Sequence, residues 1–214
     1  SGRPIIGILG EFDANAGISQ KRKPVKEARI PGGAGHGCGH NLFGTASLGA
    51  AIAIKEQIEK GNIKGTVIFY GTPAEETIFA KVWMVREGLF DKLDVCMDWH
   101  PGDEIEAGTQ SSKALVDFRV KFRGSSAHAS SDPWNGKSAA DAMELYTTGL
   151  NYYREHIEPT ARIHYQIEKA GDVVNVVPDY AQIWTRLRQN NRAGVDVLYE
   201  RALDIAKGAA LMTG

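Results

Sequence analysis

Residues 4–13 read PIIGILGEFD. The first seven form a short continuous apolar run, the pattern of a strand covered on both faces, and the run gives way to an acidic pair, Glu11 and Asp13. Two similar strands lie further along, at Thr66–Tyr70 (TVIFY) and Leu93–Trp99 (LDVCMDW). Before the second strand, Asn41 can cap a helix running to about Lys60. Its residues Leu42, Ala46, Gly49 and Ala53 share one face that Leu48 and Ile52 widen, so substantial burial of that face is expected. The residues after Glu76 suggest another helix to about Gly88. Strand, helix, strand, helix, strand makes a parallel sheet with right-handed crossovers the natural architecture for residues 1 to about 108.

The pattern changes near Ser111. Ala114–Phe122 alternates, with Leu115, Asp117, Arg119 and Lys121 against Val116, Phe118, Val120 and Phe122, as in a strand with one wet face. Ala139, Met143, Tyr146, Leu150 and Tyr153 then step by four and three along a helix. Strands at Arg162–Glu168 and Ala181–Arg188 follow, and a last helix carries Val195, Leu198, Ala202, Ile205 and Ala209 on one face. This order predicts a small α+β domain with its helices on one side of an antiparallel sheet. The expected fold is therefore α/β: a mostly parallel sheet in residues 1–108 and an α+β domain in 109–214.

Composition narrows the function. At roughly 150 residues per domain, 214 residues make one to two domains. Lys+Arg 25 against Asp+Glu 26 leaves a net charge of -1, which argues against nucleic acid or an anionic membrane as partner. The longest apolar-plus-glycine stretch, Leu48–Ile54, falls far short of the ~18 residues of a membrane span. Two cysteines, Cys38 and Cys96, are too few for a disulfide scaffold, so a soluble protein of the reducing cytoplasm is expected. The basic cluster Lys21, Arg22, Lys23, Lys26 and Arg29 reads as a solvated loop face.

The unusual polar residues fall just after the three strands: Glu11 and Asp13, Glu75 and Glu76, and His100. Ligands of open parallel sheets gather outside the carboxyl ends of strands, so these positions can converge. The segment GAGHGCGHN (residues 33–41) spaces Cys38 and His40 two apart, which in extended chain points both the same way. Thiolate and imidazole together suit a divalent ion such as zinc; a buried cysteine beside a loop histidine is the equal alternative. Glu75 and Glu76 would repel each other if both were desolvated, and a cation relieves that cost. One can then ligate while the other serves as general base, although acidic residues also favour the first turn of a helix. A lone His100 is ordinarily structural. Three such coincidences at equivalent strand ends raise the joint metal reading well above its parts.

Together GILGEFDA, GHGCGHN, GTPAEE, His100-Pro101, GSSAHAS, NVVPD and GAALMTG resemble the metal-dependent amidohydrolase and peptidase family of hippurate hydrolase and the auxin-conjugate hydrolases. The resemblance covers essentially the whole chain. It implies Cys38, His40, Glu76 and His100 as metal ligands for one or two divalent ions (zinc or manganese), Glu75 as general base, and Asp13 as a carboxylate beside the ligands. It further implies His128 as an oxyanion donor, often presented across a dimer interface, and Asn175 and Arg188 as holders of the substrate carboxylate, with Arg186 on the same strand face as an alternative. The implied architecture is a catalytic domain interrupted by a lid, through which a homodimer forms. The implied reaction is hydrolysis of an amide between an acyl or aromatic group and an amino acid, aminobenzoyl-glutamate-like small molecules being favoured. An N-acyl-amino-acid deacylase or dipeptidase of the same family is the alternative. Members of the family run to about twice this length and supply a further histidine ligand later, so the chain is expected to be an internal portion. A non-catalytic dimerisation or binding fragment is the remaining alternative.

Overall fold

The computed structural model describes residues 2–108 and 111–214. The chain divides into two compact units, residues 1–107 and 108–214. The boundary expected between residues 108 and 109 adjoins Thr109 and Gln110, which lie outside the described residues.

In the first unit the apolar run becomes β1 (Ile5–Glu11). It is flanked by β2 (Thr66–Thr72) on one side and β3 (Val95–Met97) on the other, giving the order β2-β1-β3 with both pairings parallel. Only the central strand of such a sheet needs apolar side chains on both faces, which is why its sequence does not alternate. The register sets Glu11 opposite Thr72, so the carboxyl ends of β1 and β2 are level.

Helix α1 (His40–Glu59) departs from expectation at its start and on its buried face. Its N-cap is Gly39, at φ 74°, and not Asn41, which lies in the first turn. A side chain at Gly39 would be strained by that left-handed backbone and would also meet the Pro101 ring at 2.9 Å. The buried stripe is His40, Phe43, Ser47 and Ala51, whereas Leu42, Leu48 and Ile52 are exposed. From Leu42 to Ile54 the helix has apolar residues on every side, with Thr45 and Ser47 the polar ones, so periodicity had little contrast from which to choose a face. Contact with β1 chooses it: a Cβ at Gly44 would lie 2.7 Å from the Glu11 carbonyl oxygen. Ser47 tolerates burial because its hydroxyl accepts the Trp99 indole N–H at 3.0 Å.

Helix α2 (Ala80–Arg86) starts later than the sequence suggests. Residues 75–78 form a turn bracketed by two non-glycine residues in left-handed conformation, Ala74 at φ 56° and Phe79 at φ 54°. Such residues cost about 1–3 kcal/mol each and persist where the surroundings require them.

The second unit follows the sequence reading closely. Strands β4 (Ala114–Arg123), β5 (Arg162–Ala170) and β6 (Tyr180–Gln189) pair antiparallel in the order β4-β6-β5. Helix α3 (Ala139–Tyr153) is capped by Ser138 and α4 (Arg192–Thr213) by Asn191, each accepting a backbone N–H three residues on. Phe122, Ile183 and Leu187 of the sheet pack with Met143, Tyr146 and Leu150 of α3 and Leu198 and Ala202 of α4 in one core. The opposite face of the sheet is polar and carries the Arg186–Asp117 and Arg119–Glu168 pairs. Among the described residues, no helix is long and apolar enough to cross a membrane.

Candidate metal centre

The carboxyl ends of β1 and β2, the start of α1 and the residues after β3 converge as anticipated. His40 is the hub and is 1% exposed. Its Nδ1 lies 3.1 Å from Asp13 Oδ1, so with Asp13 ionised Nδ1–H is the donor and Nε2 keeps its lone pair. Asp13 has a second partner, since its Oδ2 accepts the backbone N–H of Glu76 at 2.9 Å. Burial alone would raise the Asp13 carboxyl, but the Glu76 amide and the His40 ring outweigh it and hold it below its ordinary value. One carboxylate thus orients one candidate ligand and anchors the backbone of another, the arrangement that fixes imidazole tautomers in metal sites.

The atoms facing His40 Nε2 are also acceptors. Glu11 Oε2 is 2.9 Å away and Glu76 Oε1 3.9 Å away. Glu11 Oε2, His40 Nε2 and Glu76 Oε1 are all buried, and with Nε2 unprotonated none of the three gains a hydrogen-bond partner. Acceptors that face one another in a buried site with no donor between them are costly, about 1–3 kcal/mol for each unsatisfied group. The ligand atoms of Cys38, His40 and Glu76 lie within 4.8 Å of one another, and so do those of Glu11, His40 and His100. The His100 Nδ1 lies 3.1 Å from the Pro101 carbonyl oxygen; donating its hydrogen there leaves Nε2 free to ligate. Sulfur, two imidazoles and carboxylates around unpartnered acceptors fit a divalent cation.

Glu75 neighbours this cluster without belonging to either triad of ligand atoms. Burial, followed by the charges of Glu11 and Glu76, pushes its carboxyl above the ordinary value. The Cys38 thiol is pushed up as well, chiefly by the Glu76 carboxylate, which is the balance that an intervening cation reverses.

Two participants escaped the sequence reading. Glu11 was visible as an acidic strand end but had no role, and Lys81 was not singled out. The Lys81 ammonium pairs with Glu11 Oε1 and approaches Asp98 Oδ2 at 3.6 Å. Burial disfavours its charge, yet the Glu11 carboxylate more than compensates and raises the amine. The available signal was a single lysine in the apolar run AKVWMV.

In the second unit, residues 127–129 and 175–177 are zipped by backbone hydrogen bonds, which brings His128 beside Val176 and next to Asn175. The exposed His128 ring accepts the backbone N–H groups of Ser130 and Ser131 at Nδ1, both at 3.2 Å. Nδ1 is therefore the unprotonated nitrogen and Nε2–H the donor presented outward. Arg188 is not brought to this place. It lies near the far end of β6 from Asn175, opposite Leu115 and Arg162. The eight residue-to-residue steps from Tyr180 to Arg188 alone span about 27 Å of strand. Arg186 and Arg188 also differ: Arg186 is locked bidentate to Asp117 at 2.7 and 2.6 Å.

Residues 9–202 match peptidase family M20/M25/M40. The chain is 45% identical over 216 residues to one of the subunits of the p-aminobenzoyl-glutamate hydrolase of Escherichia coli, covering 99% of this chain and 44% of that protein. It is 32% identical to the Xaa-Arg dipeptidase of Homo sapiens, over 99% of this chain and 46% of the relative. A crystal structure of an aminobenzoyl-glutamate utilization protein from Klebsiella pneumoniae superposes with a TM-score of 0.68 at 25% identity, covering 98% of this chain and 48% of that one. The chain thus spans about half the length of the curated relatives it matches.

Proposed function

We propose, because the chain belongs to peptidase family M20/M25/M40, that it contributes to a metallo-amidohydrolase. The enzyme cleaves the amide between an acyl or aromatic group and an amino acid, with aminobenzoyl-glutamate-like compounds as favoured substrates. The observation that carries this reading is the set of buried, unpartnered acceptors on Glu11, His40 and Glu76 beside Cys38 and His100. The 45% identity to a p-aminobenzoyl-glutamate hydrolase subunit supports the substrate class.

Cys38, His40, Glu76 and His100 would hold the ion or ions, zinc suiting the thiolate and imidazoles and manganese the carboxylates. A divalent cation there supplies Lewis-acid charge to the scissile carbonyl. Glu75 takes a proton from the attacking water and returns it to the leaving nitrogen, a role that its raised affinity for protons favours. Asp13 keeps His40 in the ligating tautomer. His128 donates Nε2–H to the oxyanion, which an imidazole with its Nδ1 already satisfied can do without changing tautomer.

Arg188, with no ion pair to Asp117 of the kind that occupies Arg186, is the better fork for the substrate carboxylate. The length of β6 between Arg188 and the His128–Asn175 pair supports a homodimer in which each site combines Arg188 of one copy with His128 and Asn175 of the other. Residues 1–108 would then be part of the catalytic domain and 109–214 an inserted lid and dimerisation domain, in a cytoplasmic enzyme. The 32% identity to an Xaa-Arg dipeptidase favours a second reading, dipeptide hydrolysis by the same machinery. A panel of aminobenzoyl-glutamate, N-acyl amino acids and dipeptides separates the two.

Glu75→Gln in the protein carrying its complete metal site is expected to lower kcat by roughly 10²- to 10⁴-fold with metal content unchanged. Undiminished turnover would remove Glu75 from the reaction.

A further inference from the structure

Asn15 lies in the aperiodic loop after β1, and every hydrogen-bonding group it has is directed at the glycine-rich loop. Its backbone N–H donates to the Gly35 carbonyl at 2.9 Å and its carbonyl accepts the Gly35 N–H at 2.9 Å, forming an isolated antiparallel bridge. Its side-chain Oδ1 accepts the Cys38 backbone N–H at 3.2 Å. Its Nδ2 donates to Cys38 Sγ at 3.6 Å. A carboxamide carries acceptor and donor on opposite prongs of one rigid plane. Because the prongs grip the main chain and the sulfur of the same residue, the direction of the Cys38 side chain is tied to the Asn15 backbone bridge. A donor aimed at sulfur also withdraws electron density from it, and such contacts tune the bond between a thiolate and a metal.

We propose that Asn15 is a positioning residue for Cys38: its carboxamide aims the sulfur toward the ion, and its N–H weakens the charge that the sulfur donates. The inference rests on Cys38 being a ligand, as proposed above. An aspartate at this position would keep the acceptor for the Cys38 N–H and lose the donor to sulfur. A leucine would lose both.

The test uses cobalt(II) as probe in a Cys96→Ser background, where Cys38 is the sole remaining cysteine. The parent is expected to show a sulfur-to-cobalt charge-transfer band in the near ultraviolet. In Asn15→Asp and Asn15→Leu the band moves to lower energy, and in Asn15→Leu, which also releases the Cys38 main chain, cobalt is held about 10-fold more weakly. A measurement on the parent alone covers the case in which both variants misfold. Loaded with cadmium-113, it should show scalar coupling between the metal and an Asn15 Nδ2 proton across the N–H···S bond. An unshifted band in a variant with the parent's circular dichroism, or absence of that coupling, overturns the role of Asn15 and leaves Cys38 as a ligand. Absence of the charge-transfer band from the parent overturns the metal reading and this inference together.

Discussion

The two units keep their shape by different means. In the second, α3 and α4 close one face of an antiparallel sheet over a continuous apolar core, and the buried Tyr146 hydroxyl is paired with Thr185 at 3.1 Å. In the first, burial is concentrated in a few residues such as Ile8, Leu9, Phe43 and Ala51, while Leu42, Leu48 and Ile52 of α1 and Val82, Trp83 and Val85 of α2 are exposed. The buried side-chain polar atoms without a partner, on Glu11, His40, Thr72 and Glu76, all belong to the first unit among the described residues. The contrast teaches that the second unit is completed by packing. The first gathers buried, unpartnered acceptors around His40, and the Lys81 ammonium pairs with Glu11 Oε1 beside them.

Three perturbations should separate these two kinds of stability. The largest effect is expected from Leu150→Ala, which empties a fully buried position of the second unit. It should cost about 2–5 kcal/mol by denaturant unfolding and leave divalent-ion affinity unchanged. If it weakened ion binding as much as stability, the units would not be separable in this way.

Alkaline pH comes next. Burial pushes the Tyr146 hydroxyl up to about 12 from an ordinary value near 10. Below pH ~10 the hydroxyl is protonated in both states and has no effect; above it the unfolded chain ionises first, and stability falls by about 1.4 kcal/mol per pH unit until about pH 12. Chemical denaturation at a series of pH values should show this slope, and Tyr146→Phe should flatten it. The same slope in the variant would place its origin elsewhere.

The smallest of the three probes the first unit. Asp13→Asn removes the charge that holds the His40 tautomer and should weaken divalent-ion binding by about 10- to 100-fold. Hydrogen exchange resolves where the lost protection falls. Ion-dependent protection should shrink at the start of α1 and stay unchanged in α3, and equal losses in both would erase the distinction drawn here.

How much of this was legible in the sequence differs by region for the same physical reason. Strand β4 and helices α3 and α4 each have one wet and one dry face, so alternation or a three-four step located their cores: Tyr146, Leu150, Val195, Leu198 and Ala202 are buried as read. Helix α1 has apolar residues on every side from Leu42 to Ile54, and its buried stripe is decided by the close approach of Gly44 to β1, which periodicity cannot register. The convergence of Cys38, His40, Glu76 and His100 was legible because residues after the strands of a parallel sheet gather at one edge, whereas their part as ligands was implied by the family resemblance. Asn15 was not, since an asparagine in an aperiodic loop carries no signal until the loop it pairs with is known. Arg186 and Arg188 could not be told apart on one strand; the pairing of Asp117 with Arg186 across β4 and β6 distinguishes them.

The unpartnered acceptors around His40 are proposed to receive a cation with Cys38 as a sulfur ligand. X-ray absorption at the zinc edge, on protein loaded with one equivalent of Zn²⁺, tests it most directly. A sulfur scatterer is expected at about 2.3 Å beside nitrogen and oxygen at about 2.0–2.2 Å, the sulfur disappearing in Cys38→Ser. A shell of nitrogen and oxygen alone, identical in Cys38→Ser, would contradict it.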